Sequence, residues 1–248
     1  MPVFTSEALI LRTYKLGEAD RIVVFLTRDR GKKRGVAKGA RRVRSRFMGA
    51  LEPMTCAGVA YYEREQRELV RINYVEPTRS PLSGSSRDAL GHVGYFAELI
   101  DEWAPEAHAD ERLFRLGSAI TEAIAVGAPI DPLARYFEYW LLRIQGVYPS
   151  LVACGGCGEP LLAAAVMPPR DDVFVCLVCA PAGGSRIGVD ALKFLKAAGA
   201  IAPDRLETLP LEPRASRELE TVHRRLLTLH LEKELKSARV LRELRHVR

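Results

Sequence analysis

The chain has 248 residues, enough for one large domain or two small ones around a buried core. Its 48% hydrophobic and 27% charged content is that of an ordinary globular protein and excludes a disordered or fibrous main body. Thirty-seven Lys and Arg stand against 31 Asp and Glu, a net charge of +6, and there are five cysteines.

The first 80 residues read as short strands. Ala8, Ile10 and Arg12 alternate with Leu9, Leu11 and Thr13, the period of two of a strand. A turn-like stretch at 16–20 leads to the β-branched run 22–26, and Gly31 breaks the chain ahead of a third strand at 35–38. After a loop at 39–49 come strands at 55–62 and 69–76, joined by a charged turn at 63–67. Five strands ending at Pro77, Pro81 and a Ser-Gly-Ser-Ser linker fit a small closed barrel of the OB type, whose face and loops bind oligonucleotides. Strand count alone also admits an SH3-like barrel.

Beyond Ser86 the period becomes helical. Ala89, Val93, Phe96, Ile100 and Trp103 form one apolar stripe, and Leu113, Leu116, Ile120 and Ile124 a second. A third helix is expected to take Asp131 as N-cap and Pro132 at its first position, to bury Leu133, Tyr136, Phe137, Trp140, Leu141 and Ile144, and to stop at Gly146 and Pro149. Leu219, Val222, Leu226 and Leu229 mark a later helix whose basic face carries Arg217, Arg224 and Arg225. The chain therefore reads as α+β, with a barrel at 1–80 and a helical domain at 81–248.

Cys154 and Cys157, then Cys176 and Cys179, form two CxxC pairs at the spacing of a four-thiolate zinc site, in a hairpin at 152–182. Four protein ligands leave no open position for a reacting water, so one structural Zn²⁺ per chain is expected. Cys56, alone in an apolar strand, reads as a small buried hydrophobe.

The charge is unevenly placed. Residues 28–46 hold ten basic side chains and one acid, residues 214–248 ten basic and five acidic, and the stretch between them is net acidic. Cations so crowded repel one another unless a polyanion neutralises them, and seven of the first ten are Arg, which pairs with phosphate and stacks on bases. Nucleic acid is the expected partner.

Catalytic patterns are missing: there is no phosphate-binding GxxxxGKS or GxxxxGKT, no GxSxG and no HExxH, and His230-Leu231-Glu232 follows both cysteine pairs instead of preceding one. The acids Asp101-Glu102 and Asp171-Asp172 read as solvated surface, and no enzyme is expected. The longest apolar run, at 161–167, is far short of a membrane span, and the opening MPVFTSEALILR has no basic stretch before its apolar residues. A cytoplasmic protein is expected.

These residues resemble the RecO recombination mediators of bacterial DNA repair. The likeness is carried by Glu7-Ala8 with Leu11-Arg12-Thr13, Gly17-Glu18-Ala19-Asp20, Ala37 to Arg42 followed by Ser45-Arg46-Phe47, Phe137-Glu138, Leu141-Leu142-Arg143, Gly146 to Pro149 and both CxxC pairs. It implies an N-terminal OB barrel, a helical domain and an inserted zinc hairpin. It also implies binding of single- and double-stranded DNA, annealing of complementary strands and, with RecR, loading of RecA onto DNA coated with single-strand-binding protein. By the resemblance Lys38, Arg41 and Arg42 contact DNA; Arg34, Arg44 and Arg46 join them on charge alone. The family's helical domain also receives the C-terminal tail of single-strand-binding protein, for which Arg135 and Arg143 are the candidates. The rival expectation is an OB and zinc-ribbon accessory factor of transcription or translation that binds RNA.

Overall fold

A computed structural model describes residues 3–63, 68–83, 87–106 and 108–246. Five strands close a barrel: β1 (Val3–Leu16), β2 (Asp20–Thr27), β3 (Gly31–Ala37), β4 (Cys56–Tyr62) and β5 (Val70–Arg79). The order around it is β1-β2-β3-β5-β4, with β4 returning to β1 and all pairs antiparallel except β3 with β5. This is the Greek-key closure of an OB-type barrel.

The alternation in β1 serves two cores. Ala8 and Ile10 point into the barrel with Val23, Phe25, Val59, Tyr61 and Ile72. Leu9 and Leu11, on the other face, are equally buried. They lie under two helices, α1 (Arg87–Trp103) and α2 (Glu111–Ala125), and Leu9 approaches so closely that a Cβ on Gly117 of α2 would lie 2.5 Å from its side chain. The stripes expected for both helices are buried, apart from a half-buried Trp103. Asp110 caps α2 by accepting the Leu113 N–H at 2.9 Å.

The third strand begins at Gly31, four residues earlier than expected. Gly31 has φ +71 and ends a turn that Thr27 closes, its Oγ1 donating to the Gly31 carbonyl and accepting from Arg30 N–H. Lys32 and Lys33 are thereby paired into the sheet opposite Leu26 and Phe25. Residues 64–67 of the charged turn and 84–86 of the linker lie outside the described residues.

The chain falls into two compact units. The first joins the barrel, α1, α2 and a C-terminal helix, α6 (Lys236–His246); the second is Ala128–Glu234. The helices α1 and α2, beyond residue 80, group with the barrel because they cover the outer face of β1. Glu98 of α1 receives α6, accepting from Ser237 N–H at 2.8 Å, Lys236 N–H at 3.3 Å and the Ser237 hydroxyl. Burial pushes the Glu98 carboxyl up, but those hydrogen bonds and Arg12 outweigh it and hold it below its usual value.

The second unit packs α3 (Ile130–Ile144), α4 (Val189–Ala198) and α5 (Pro213–Leu231) beside a two-stranded sheet of β6 (Ala165–Met167) and β7 (Ser185–Ile187). Pro129, not Asp131, is the N-cap of α3, and Asp131 sits in the first turn where its charge opposes the helix dipole favourably. Gly146, at φ +72, ends the helix. Leu219, Val222 and Leu226 of α5 are buried, but Leu229 is exposed because the packed face has shifted to His223 and Leu227.

Glycine at position 31 is demanded twice, since a Cβ there would lie 2.5 Å from the His108 carbonyl oxygen and 2.8 Å from that of Pro105. At Gly17, φ +57, the same Cβ meets open space. Gly17→Ala should cost about 1 kcal/mol and Gly31→Ala about 3 kcal/mol or more, measured by urea unfolding; equal losses would show that the close approach of Pro105 and His108 is not made.

Candidate nucleic-acid interface and metal centre

The ten cations of residues 28–46 divide by position. Those of the β2–β3 turn and β3 are spent on acids of the same chain. Arg28 lies 3.0 Å from Glu7 and 2.9 Å from Glu111, Arg30 pairs with Asp29 and covers the Phe4 ring, Lys33 lies 2.7 Å from Glu63, and Arg34 3.0 Å from Glu106. Lys32 is buried, with its ammonium 3.3 Å from the Asp101 carboxylate and 2.6 Å from the Asp101 carbonyl oxygen. Asp101 is therefore a structural counter-ion, not the solvated helix end expected, whereas Asp171 and Asp172 are exposed.

Lys38, Arg41, Arg42, Arg44 and Arg46 are all exposed, and none meets an acid among the described residues. They lie on the loop from β3 to β4, which is held at both ends. Gly39 N–H donates to Asp20 Oδ1 at 2.8 Å, Arg41 N–H to the Ala19 carbonyl at 2.9 Å, and the Arg41 guanidinium to the Gly17 carbonyl at 2.9 Å. Further on, Phe47, Ala50 and Leu51 insert into the barrel core, and the Arg46 guanidinium sits 4.9 Å from the Phe47 ring centre. Between these anchors the backbone makes successive tight turns, with Arg42 N–H donating to Gly39, Ser45 to Arg42 and Met48 to Ser45. The result is an ordered cationic surface that also exposes two apolar side chains, Val43 and Met48. The structure thus brings five of the six expected DNA-contact residues onto one loop and sets Arg34 apart, on β3 beside Glu106.

In the second unit, the sulfurs of Cys154, Cys157, Cys176 and Cys179 lie within 4.8 Å of one another. Cys157 and Cys176 Sγ are 3.8 Å apart, which is the edge of a tetrahedron with metal–sulfur bonds of about 2.3 Å. Gly156 and Cys176 N–H groups donate to Cys154 Sγ at 3.3 and 3.1 Å. A Cβ at Gly156 would stand 3.3 Å from Cys179 Sγ, so the first knuckle closes tightly because that residue is glycine. Backbone donors, foremost Cys157 and then Cys176, bring the Cys154 thiol down to about 6, while the Cys157 and Cys176 side chains push Cys179 up to about 12. Four thiolates gathered this closely require a cation, and the cluster can hold a metal ion. Cys56 is buried and stands apart, its Sγ 3.6 Å from Ser118 Oγ.

The two peptide candidates separate. Arg143 is exposed, donates to Tyr139 Oη at 2.8 Å and lies over the Tyr139 and Trp140 rings. Arg135 has to be withdrawn from that role: it is 3% exposed, with its Nη1 3.0 Å from Glu138 Oε2 inside the unit. Sequence does carry a signal for this, since Arg135 and Glu138 stand at i and i+3 of one helix. It carries none for the rest of the network, in which Glu138 also meets His223 Nδ1 at 2.9 Å and Tyr148 Oη meets His223 Nε2 at 3.1 Å.

Two outcomes test these centres. Replacement of Cys154 or Cys176 by Ser should remove the bound metal, expected at about one ion per chain, as read by elemental analysis; full metal retention would exclude the cluster. Burial holds His223 below its usual pKa, so below about pH 6.5 the unfolded chain takes up a proton that the folded chain refuses. Stability should be complete above that pH and decline beneath it, and His223→Gln should flatten the decline in thermal unfolding; an unaltered slope would contradict the assignment.

The family models for the N-terminal and C-terminal parts of recombination protein O match residues 1–81 and 84–239. A DNA repair protein RecO of Geobacter metallireducens is 35% identical over 96% of this chain and 97% of its own. A protein of the same name from Koribacter versatilis is 42% identical over 69% of this chain and 70% of its own. One from Desulforudis audaxviator is 32% identical over 98% of both. With a closed five-stranded barrel at its start and models matching nearly its whole length, the chain belongs to the RecO family of DNA repair proteins.

Proposed function

We propose that this chain is a mediator of recombinational repair that holds single- and double-stranded DNA on the loop between β3 and β4, and that the strands it holds anneal. The observation that carries this is the state of the loop cations: five exposed charges on an anchored backbone, with no acid of the described chain to neutralise them. Two strands repel each other, and a surface that neutralises their phosphates lowers the barrier to encounter without a nucleotide cofactor or covalent chemistry. Lys38, Arg41, Arg42, Arg44 and Arg46 are the contacts; Arg34 must first leave Glu106.

The setting we propose for it is the one the sequence resemblance implies: action with RecR, to help RecA displace single-strand-binding protein in the cytoplasm. Arg143, backed by Tyr139 and Trp140, is a cation that the acidic, apolar tail of single-strand-binding protein could engage. The cysteine cluster is taken to hold Zn²⁺, closed by four ligands and structural in role. No helix among the described residues is long and apolar enough to cross a membrane.

The test is charge reversal at Lys38, Arg41 and Arg42 together. Fluorescence anisotropy should show loss of DNA binding, with metal content and thermal unfolding unchanged. In the unaltered protein, single-strand affinity should fall with salt by a log–log slope of about −0.7 per phosphate contacted. Binding that survives the reversal, or that ignores salt, would place the contact surface elsewhere. Tighter binding to a matched RNA, without annealing of DNA strands, would replace the reading with an RNA-directed one.

A further inference from the structure

The loop that carries the free cations is also where the first unit leaves most apolar surface in water. Val43 is 89% and Met48 70% exposed, the highest values for large hydrophobic side chains among that unit's described residues. The same stretch does bury apolar groups, since Phe47, Ala50 and Leu51 enter the barrel core. Successive turns from Gly39 to Arg42, Arg42 to Ser45 and Ser45 to Met48 fix the backbone between, so both side chains stand out from a held frame. Their neighbours are cations. Val43 lies between Arg42 and Arg44, and Met48 two residues beyond Arg46, all exposed and without an acid among the described residues.

Phosphate contacts account for the cations and leave the apolar pair without a use. Cations alone also favour the duplex, which carries one charge per about 1.7 Å of axis against about 3.4 Å for each strand. An apolar side chain finds its partner on the face of a base, which a duplex hides in its own stack and an unpaired strand leaves open. A thioether suits that contact, because methionine sulfur packs favourably on aromatic rings. We infer that Val43 and Met48 form a contact site for unpaired nucleobases, whose phosphates the adjoining arginines hold, and that the pair makes the loop prefer single strands to duplex. The inference rests on the proposed DNA-binding function and adds to it the means of telling one form of DNA from the other.

The experiment uses the full-length double variant Val43→Ser with Met48→Ser, whose thermal unfolding should be unaltered because both side chains already stand in water. By fluorescence anisotropy, affinity for a single strand should fall about tenfold, while duplex affinity stays within twofold. The salt slope for the single strand should be unchanged, since no phosphate contact is lost. Val43→Ile with Met48→Leu should keep the preference, and an abasic sugar-phosphate strand should bind the unaltered protein and the serine variant equally. Single-strand affinity unaltered in the serine variant, or duplex affinity lost in step with it, would overturn the base contact, as would an abasic strand that discriminates between the two proteins. An unaltered protein that binds no DNA would instead remove the function on which the inference stands.

Discussion

A buried lysine organises the first unit. The ammonium of Lys32 has left water, which is tolerable only where anions and carbonyls replace its hydration shell. Asp101 supplies both a carboxylate and a carbonyl oxygen, and Glu106 stands 3.4 Å away. Asp101 in turn lies 3.5 Å from Arg12, and Arg12 3.7 Å from Glu98, the carboxylate that receives α6. One cluster of charge thus ties two strands of the barrel to α1 and to the C-terminal helix. Neutralising Asp101 would leave the buried Lys32 ammonium without its nearest carboxylate.

That cluster also decides what the molecule can offer a polyanion. A run of ten cations looks continuous in sequence, but its first half is paired with acids of the same chain, within the barrel and on its covering helices. Only the part beyond Ala37 is left outward. There the cations are presented by a backbone that the core holds through Phe47, Ala50 and Leu51, so a strand arriving at the loop orders little that is not already ordered.

Elements with a repeating burial pattern were readable from sequence. The alternation in β1 and the stripes of α1 and α2 repeat over several periods, and the CxxC pairs fix both the chemistry and the geometry of their site. What could not be read was long-range pairing. Lys32 and Asp101 are 69 residues apart and Glu138 and His223 85, and no local pattern assigns Asp101 to Lys32 or Glu138 to His223. The short α4 and α6 escaped for a different reason: each is held by partners distant in sequence, α6 by Glu98 above all. Arg135 misled because its charge suggests a peptide contact, while burial turned it inward against Glu138.

The path of the chain sets the order in which these parts can be completed. The second unit is one uninterrupted stretch, whereas the first is split, its main body ending at Gly127 and its last helix beginning after Leu235. During synthesis the barrel and its two covering helices emerge first, and Glu98 meets Arg12 while its partners from α6, Lys236 and Ser237, are still unmade until the whole intervening unit has been translated. The α6 helix therefore acts as a late-arriving closure, and the finished first unit reports that everything inserted into it has been made.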